Sequence, residues 1–315
     1  MYTIGIDLGG TNIAAGLVDE DYNLLRKASV ETKASRDADE IVKDMAALCQ
    51  RLCDEQGIGA SKIESVGIAT PGTADRNSGV VNYANNLPFL NYPIADKLKS
   101  FFPVKNVSIA NDADAAAYGE VVAGAGKGVK DFVMITLGTG VGGGMVIDGK
   151  LYSGSTFAGG ELGHTVIVHN GVQCSCGRKG CWEAYSSATA LIRMTKEKMQ
   201  EHSDSAMWEY ADGKLENVNG RTAFDCMRKG DTAAKEVVDT YISYLATGTA
   251  NIINMLQPSI LAFGGGVANE KENLIAPLRK LVDKEVYCRK EEDRTELKSA
   301  TLGNDAGIIG AAALR

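Results

Sequence analysis

Apolar positions along the chain switch between a period of two and a period near 3.6. Tyr2 to Ile6 alternates like a strand and runs into Asp7-Leu8-Gly9-Gly10-Thr11-Asn12. Ala14 to Val18 and Leu24 to Val30 read as two further strands, separated by a turn at Asp19 to Tyr22. Ile41, Met45, Leu48 and Leu52 then recur at spacings of four, three and four, which predicts a helix from about Asp37 to Gln56, stopped by Gly57. Ser65 to Thr70 is a buried strand closed by Pro71-Gly72. Three strands, a helix and a strand make an α/β unit. Further on, Ser187 to Met199 and Thr232 to Leu256 have helical spacing, and Ile260 to Phe263 is a strand ending in Gly264-Gly265-Gly266. His202 to Gly220 is polar and irregular, with no assigned chemistry, and a small-residue helix follows Leu302-Gly303-Asn304-Asp305 to Arg315.

The opening pattern occurs twice. Ile4-Gly-Ile-Asp-Leu-Gly-Gly-Thr compares with Val133-Met-Ile-Thr-Leu-Gly-Thr-Gly at an offset of 129 residues, and Leu17-Val18-Asp19 meets Val146-Ile147-Asp148 at the same offset. An internal duplication is the economical account, each half supplying one glycine hairpin. Gly138-x-Gly140-x-x-Gly143 formally fits the dinucleotide fingerprint, but Met145 to Ile147 reads as a strand where that fingerprint needs a helix. A P-loop is excluded too, because Gly126-Lys127 is followed by Gly128. The backbone N–H groups of Gly9-Gly10-Thr11-Asn12 and Gly138-Thr139-Gly140 are suited to anionic phosphates.

Two other stretches carry chemistry. Cys174, Cys176 and Cys181 fall within eight positions, and His164 lies ten residues before the first of them. Ligand type, count and spacing match the tetrahedral Cys₃His set of a structural zinc better than a disulfide. Glu161 and Glu183 flank the segment, so holding the metal fixes two carboxylates and an imidazole whose second N–H is free, a set suited to the hydroxyls of a small polyol. Between the repeats, a strand ends at Asn111-Asp112 and an alanine-rich helix starts at once. Either residue serves as an N-cap; both also suit substrate binding and proton abstraction at a strand's carboxyl end.

The run G-H-x(9)-C-x-C-G-x-x-G-C-x-E resembles the signature of the ROK (repressor, open reading frame, kinase) family of sugar kinases and sugar-responsive repressors. D-x-G-G-T, N-D, L-G-T-G-x-G-G-G and the late glycine triad follow in family order along nearly the whole chain. The resemblance implies a two-domain actin/hexokinase-like α/β fold, a duplicated ribonuclease H-like architecture with an interdomain cleft. It places one domain at residues 1–111 plus 301–315 and the other at 112–300. It implies ATP-dependent phosphorylation of a hexose 6-hydroxyl, glucose being the expected sugar and N-acetylmannosamine, mannose, fructose or allose the alternatives. Asp112 becomes the catalytic base, and Gly72, Asn86, Asn111, Glu161, His164 and Glu183 join it around the sugar. Asp7, with Mg²⁺ nearby, Gly9 to Asn12 and Gly138 to Gly140 hold the ATP phosphates, and Gly264, Gly265 and Gly266 meet adenosine. A homodimer or homotetramer is expected. A repressor of this family carries a DNA-binding helix-turn-helix ahead of the fold, and the strand here begins at Tyr2.

Composition narrows the setting. The 315 residues carry a net charge of −7 with the signs interspersed, which gives no footprint for nucleic acid. No apolar run approaches the roughly 18 residues of a membrane span. Seven cysteines, four of them scattered, point to reduced thiols and a cytoplasmic protein.

Overall fold

The computed structural model describes residues 1–314. Strands β1 (Tyr2–Leu8), β2 (Asn12–Val18) and β3 (Leu24–Glu31) form the expected antiparallel meander. Helix α1 (Ala38–Gln56) is capped by Asp37, whose side chain accepts from the Asp39 N–H, and stops at Gly57 in the left-handed region. Its Ile41, Met45, Leu48 and Leu52 pack with Ile4, Ile6, Ile13 and Leu17 in one core. β4 (Ile63–Thr70) runs parallel to β1. The short strands β5 (Thr73–Asp75), β6 (Val80–Tyr83) and β7 (Leu90–Tyr92) make a separate small sheet before α2 (Ile94–Phe101). β8 (Asn106–Asn111) lies parallel to β4 and leads into α3 (Asp112–Ala123). The first sheet therefore has the order β3-β2-β1-β4-β8.

The second half begins with β9 (Phe132–Leu137), β10 (Val141–Ile147) and β11 (Lys150–Leu151). Helices α4 (Glu183–Ser186), α5 (Ala188–Glu201), α6 (Ala206–Tyr210), α7 (Thr222–Arg228) and α8 (Thr232–Leu256) follow. After them come β12 (Ile260–Gly264), α9 (Glu272–Glu285), β13 (Glu296–Ser299) and α10 (Ala306–Ala313). The second sheet has the order β11-β10-β9-β12-β13. Matched in chain order, this is the strand order of the first sheet. The pairings agree as well, β10 with β11 antiparallel and β12 with β13 parallel. A duplication read from two short blocks of sequence is thus repeated in topology.

The chain forms two compact units, Met1–Met134 with Gly144–Gly160 and Thr301–Arg315, and Ile135–Gly143 with Glu161–Ala300. Arg315 itself lies outside the described residues. Residues 112–134 and 144–160 fall in the first unit, where the expected boundary put them in the second. Packing explains the difference. Glu120 of α3 is fully buried and accepts from the N–H groups of Ala125, Thr301 and Leu302 at 2.7, 2.9 and 2.8 Å. Gly144 has no room for a side chain, because a Cβ would lie 2.6 Å from the Ala117 Cβ of α3. No helix among the described residues is long and apolar enough to cross a membrane.

Candidate active site and Cys₃His cluster

In the first unit, the end of β8 separates two roles that sequence left joined. Asn111 is the N-cap of α3: its Oδ1 accepts from Ala113 at 2.9 Å and Asp114 at 3.4 Å, and its Nδ2 donates to the Gly72 carbonyl at 3.1 Å. Both ends of this amide are committed to backbone. Asp112 stands at the first helical position, with Oδ1 accepting from the Ala113 N–H at 2.9 Å. Although its surface is open to solvent, protein crowds the carboxylate. Desolvation pushes its pKa up, partly offset by the Ala113 N–H and its neighbours. Asp7, near the end of β1, is raised to about 6 by burial and then by the charge of Asp112, with Lys27 pulling the other way. Two desolvated carboxylates that repel each other fit a site for a divalent cation.

The first glycine hairpin lies in the same unit. Its Gly9 N–H donates to the Asn12 carbonyl at 2.9 Å, and Thr32 braces it, Oγ1 donating to Gly9 at 2.6 Å and N–H to Thr11 at 2.8 Å. Asn86 packs over Gly10, where a Cβ would lie 2.6 Å from its Nδ2. Gly72 has φ +88, and a side chain there would strike the Tyr83 carbonyl. Asp7, Gly9 to Asn12, Gly72, Asn86, Asn111 and Asp112 thus form one linked surface within this unit.

In the second unit, the donor atoms of His164, Cys174, Cys176 and Cys181 lie within 4.8 Å of one another. Cys176 and Cys181 have their sulfurs 3.7 Å apart, and Cys174 Sγ is 3.7 Å from His164 Nδ1. A tetrahedron with metal–sulfur bonds of about 2.3 Å has edges of about 3.8 Å, so the spacing suits an ion and is far too long for a disulfide. The Arg178 N–H pulls the Cys176 thiol below its ordinary value, while burial, then Cys176, pushes Cys181 up to about 12. Such crowding of thiols fits a cation that holds both as thiolates. Gly177 and Gly180 adopt φ of +89 and +82, as tight folding round an ion requires.

The flanking acids are placed differently from each other. Glu161 precedes the 3₁₀ turn Leu162–His164, and its side chain is exposed. Glu183 turns inward: Oε2 accepts from the Val141 N–H at 3.0 Å and Oε1 from Ser175 Oγ at 3.3 Å. It therefore ties the second hairpin to the cysteine loop. The glycine triad closes β12, and Gly265 (φ +85) has no space for a Cβ because the Leu137 backbone lies 2.6 Å from it. A 3₁₀ turn at Val267–Glu270 intervenes before α9. Next to Gly266 lies a pocket of about 510 Å³, also lined by Tyr210, Asn219, Arg221, Asn269 and Glu270. Sequence reading missed this lining, because Asn219 falls in a polar stretch with no periodicity.

A strand-order repeat, two glycine hairpins and a carboxylate at a parallel strand's end define an α/β protein of the actin- and hexokinase-like class. Residues 3–315 match the ROK family, and the chain belongs to it. It is 37% identical to the glucokinase of Thermotoga maritima over 314 residues, 99% of this chain and 96% of that protein. Against the glucokinase of Streptomyces coelicolor the identity is 34% over the same shares. A ROK family glucokinase from Streptomyces griseus, solved in complex with glucose and AMPPNP, superposes with a TM-score of 0.80 at 34% identity, covering 99% of this chain and 98% of the other.

Proposed function

We propose that the chain is an ATP-dependent hexose kinase that phosphorylates the 6-hydroxyl of glucose. The observation that carries this reading is the division of labour at Asn111-Asp112: Asn111 does the capping, so the Asp112 carboxylate is left for chemistry. Its raised pKa suits a group that takes a proton from a sugar hydroxyl as the bond to phosphorus forms. Phosphoryl transfer otherwise asks for positioning and charge neutralisation. Backbone N–H groups within the hairpins Gly9 to Asn12 and Gly138 to Gly140, those of Gly9 and Gly138 apart because they close the turns, supply the first, and a magnesium ion near Asp7 supplies the second when bound. Asn86, Glu161, His164 and Glu183 orient the sugar ring, with Asn111 and Gly72 fixing the base beside it. Adenosine occupies the pocket at Gly264 to Gly266, with Asn219 and Arg221 as its polar neighbours. His164, Cys174, Cys176 and Cys181 hold a structural zinc, which orders the segment between Glu161 and Glu183 and takes no part in the transfer.

The relatives' shared name and the near-complete coverage favour glucose over the other hexoses. A coupled assay of ADP release with Mg-ATP over a hexose panel tests the reading. Turnover is expected with glucose at the highest kcat/KM. Absence of ADP release with every hexose refutes the kinase, and a stronger response to N-acetylmannosamine or mannose refutes the substrate.

A further inference from the structure

The second glycine hairpin is held from one side by the residues that follow the cysteine segment. The Ala188 N–H donates to the Gly138 carbonyl at 2.8 Å, and Thr189 Oγ1 donates to the Thr139 carbonyl at 2.8 Å. A peptide group is planar and trans, so its C=O and N–H point in opposite directions. Capturing two successive carbonyls at the start of α5 turns the next two N–H groups, of Thr139 and Gly140, to the other side. Successive N–H groups presented together make an anion-binding concavity. The following N–H, of Val141, is already donated to Glu183. Within the first hairpin the same device recurs, with the Thr32 hydroxyl on the Gly9 carbonyl.

We propose that Thr189 is a positioning residue for the phosphoryl donor, its hydroxyl setting the Thr139–Gly140 peptide so that the Gly140 N–H faces phosphate. The proposal rests on the reading that Gly138 to Gly140 bind phosphate. The Gly138 N–H also closes the hairpin on the Gly140 carbonyl at 3.0 Å, but that bond lies on the next peptide, and glycine at 140 has no side chain to oppose a turned Thr139–Gly140 peptide. Thr189 is exposed at the second position of α5, so losing its hydroxyl leaves the core intact.

Thr189→Val keeps the branched shape and removes the donor; Thr189→Ser keeps the donor. With the valine variant, kcat/KM for ATP is expected to fall roughly three- to tenfold, the weight of one hydrogen bond, while glucose affinity and zinc content stay unchanged. Serine is expected to restore most of the loss. Amide NMR signals of Thr139 and Gly140 in the wild-type protein, followed as Mg-ATP is added, separate the two layers of the argument. If these amides do not respond, the phosphate reading of the hairpin fails, and this proposal with it. If they respond and Thr189→Val matches wild type toward ATP, the proposal alone is overturned. A valine variant that loses glucose and ATP affinity together, without rescue by serine, marks a structural role and also overturns it.

Discussion

At the scale of single residues, adjacent side chains at the end of β8 do different jobs. Asn111 caps α3 through two backbone N–H groups, whereas the Asp112 carboxylate accepts from the Ala113 N–H without capping the helix. Asp112→Asn is therefore expected to leave the thermal midpoint nearly unchanged and to lower kcat by roughly 10²–10⁴-fold, since an amide cannot take the hydroxyl proton. Asn111→Ala is expected to cost about 1 kcal/mol of stability through the lost cap. Thermal melts and turnover on both variants check the split; a normal kcat in Asp112→Asn removes it as the base. Asp7 gives a pH-dependent counterpart. Its folded pKa of about 6 lies above the ordinary 3.8, so the folded protein binds that proton more tightly than the unfolded chain. Ionised Asp7 thus works against stability above pH 6, and the cost disappears as pH falls from about 6 to about 4. In magnesium-free buffer, Asp7→Asn is expected to be more stable than wild type at pH 7.5, on the order of 1–3 kcal/mol, with the gain gone by about pH 4. An equal gain at both pH values would show that burial of Asp7 is not its source.

Among elements, those with strong periodicity and clear stops were legible in sequence, and those set by tertiary contact were not. Helix α8 has the predicted bounds, Thr232 to Leu256, and α1 differs from expectation by its cap residue alone. Both have continuous apolar faces and clear stops, Gly57 after α1 and Pro258 beyond α8. The stretch from His202 to Gly220 lacks that pattern, yet it contains α6 and a 3₁₀ turn at Leu215–Asn217. Ser205 caps α6, and Asp231 Oδ2 holds Ser205 from across the chain, a partnership that no local pattern shows. The clustering of His164, Cys174, Cys176 and Cys181 was legible for the opposite reason: residues at the spacing of metal ligands are a local pattern. The dock of their segment was not. Trp182, fully buried, donates to the Tyr244 carbonyl at 3.2 Å and lies against Gly248 of α8, joining residues far apart in sequence. Cys176→Ser is expected to lower zinc content from about one per chain toward none and to loosen the segment from His164 to Glu183. Elemental analysis with hydrogen exchange over that segment checks it, and full zinc occupancy in the variant would show that Cys176 is not a ligand.

For the molecule as a whole, some of the 36 glycines serve close packing between elements and not turns. In the first unit, α10 packs so closely on β1 and β4 that side chains are excluded: a Cβ on Gly5 would strike the Ile308 carbonyl, and one on Gly67 the Ala311 carbonyl. These obstacles are backbone, which cannot move aside as a flexible side chain does. Nothing at positions 5 and 67 distinguishes them in the sequence from glycines in turns, because the partner helix lies more than 240 residues away. Gly67→Ala is accordingly expected to destabilise the protein by about 1–3 kcal/mol or more, as overpacking does, although alanine suits a strand better than glycine. Gly59 provides the comparison. Its nearest contact for an added Cβ is Ser61 Oγ at 3.6 Å, and its φ is −77, so Gly59→Ala is expected to be neutral or slightly stabilising. The damage in Gly67→Ala belongs to the contact with α10, so the amides of α10 should exchange faster while zinc content, held by residues of the second unit, stays at wild-type level. Chemical denaturation of the two variants, with exchange rates for residues 306–313, measures this. Equal stability of Gly67→Ala and Gly59→Ala would mean that α10 can move off the sheet without cost, and that its close packing is not what joins the chain's end to the first unit.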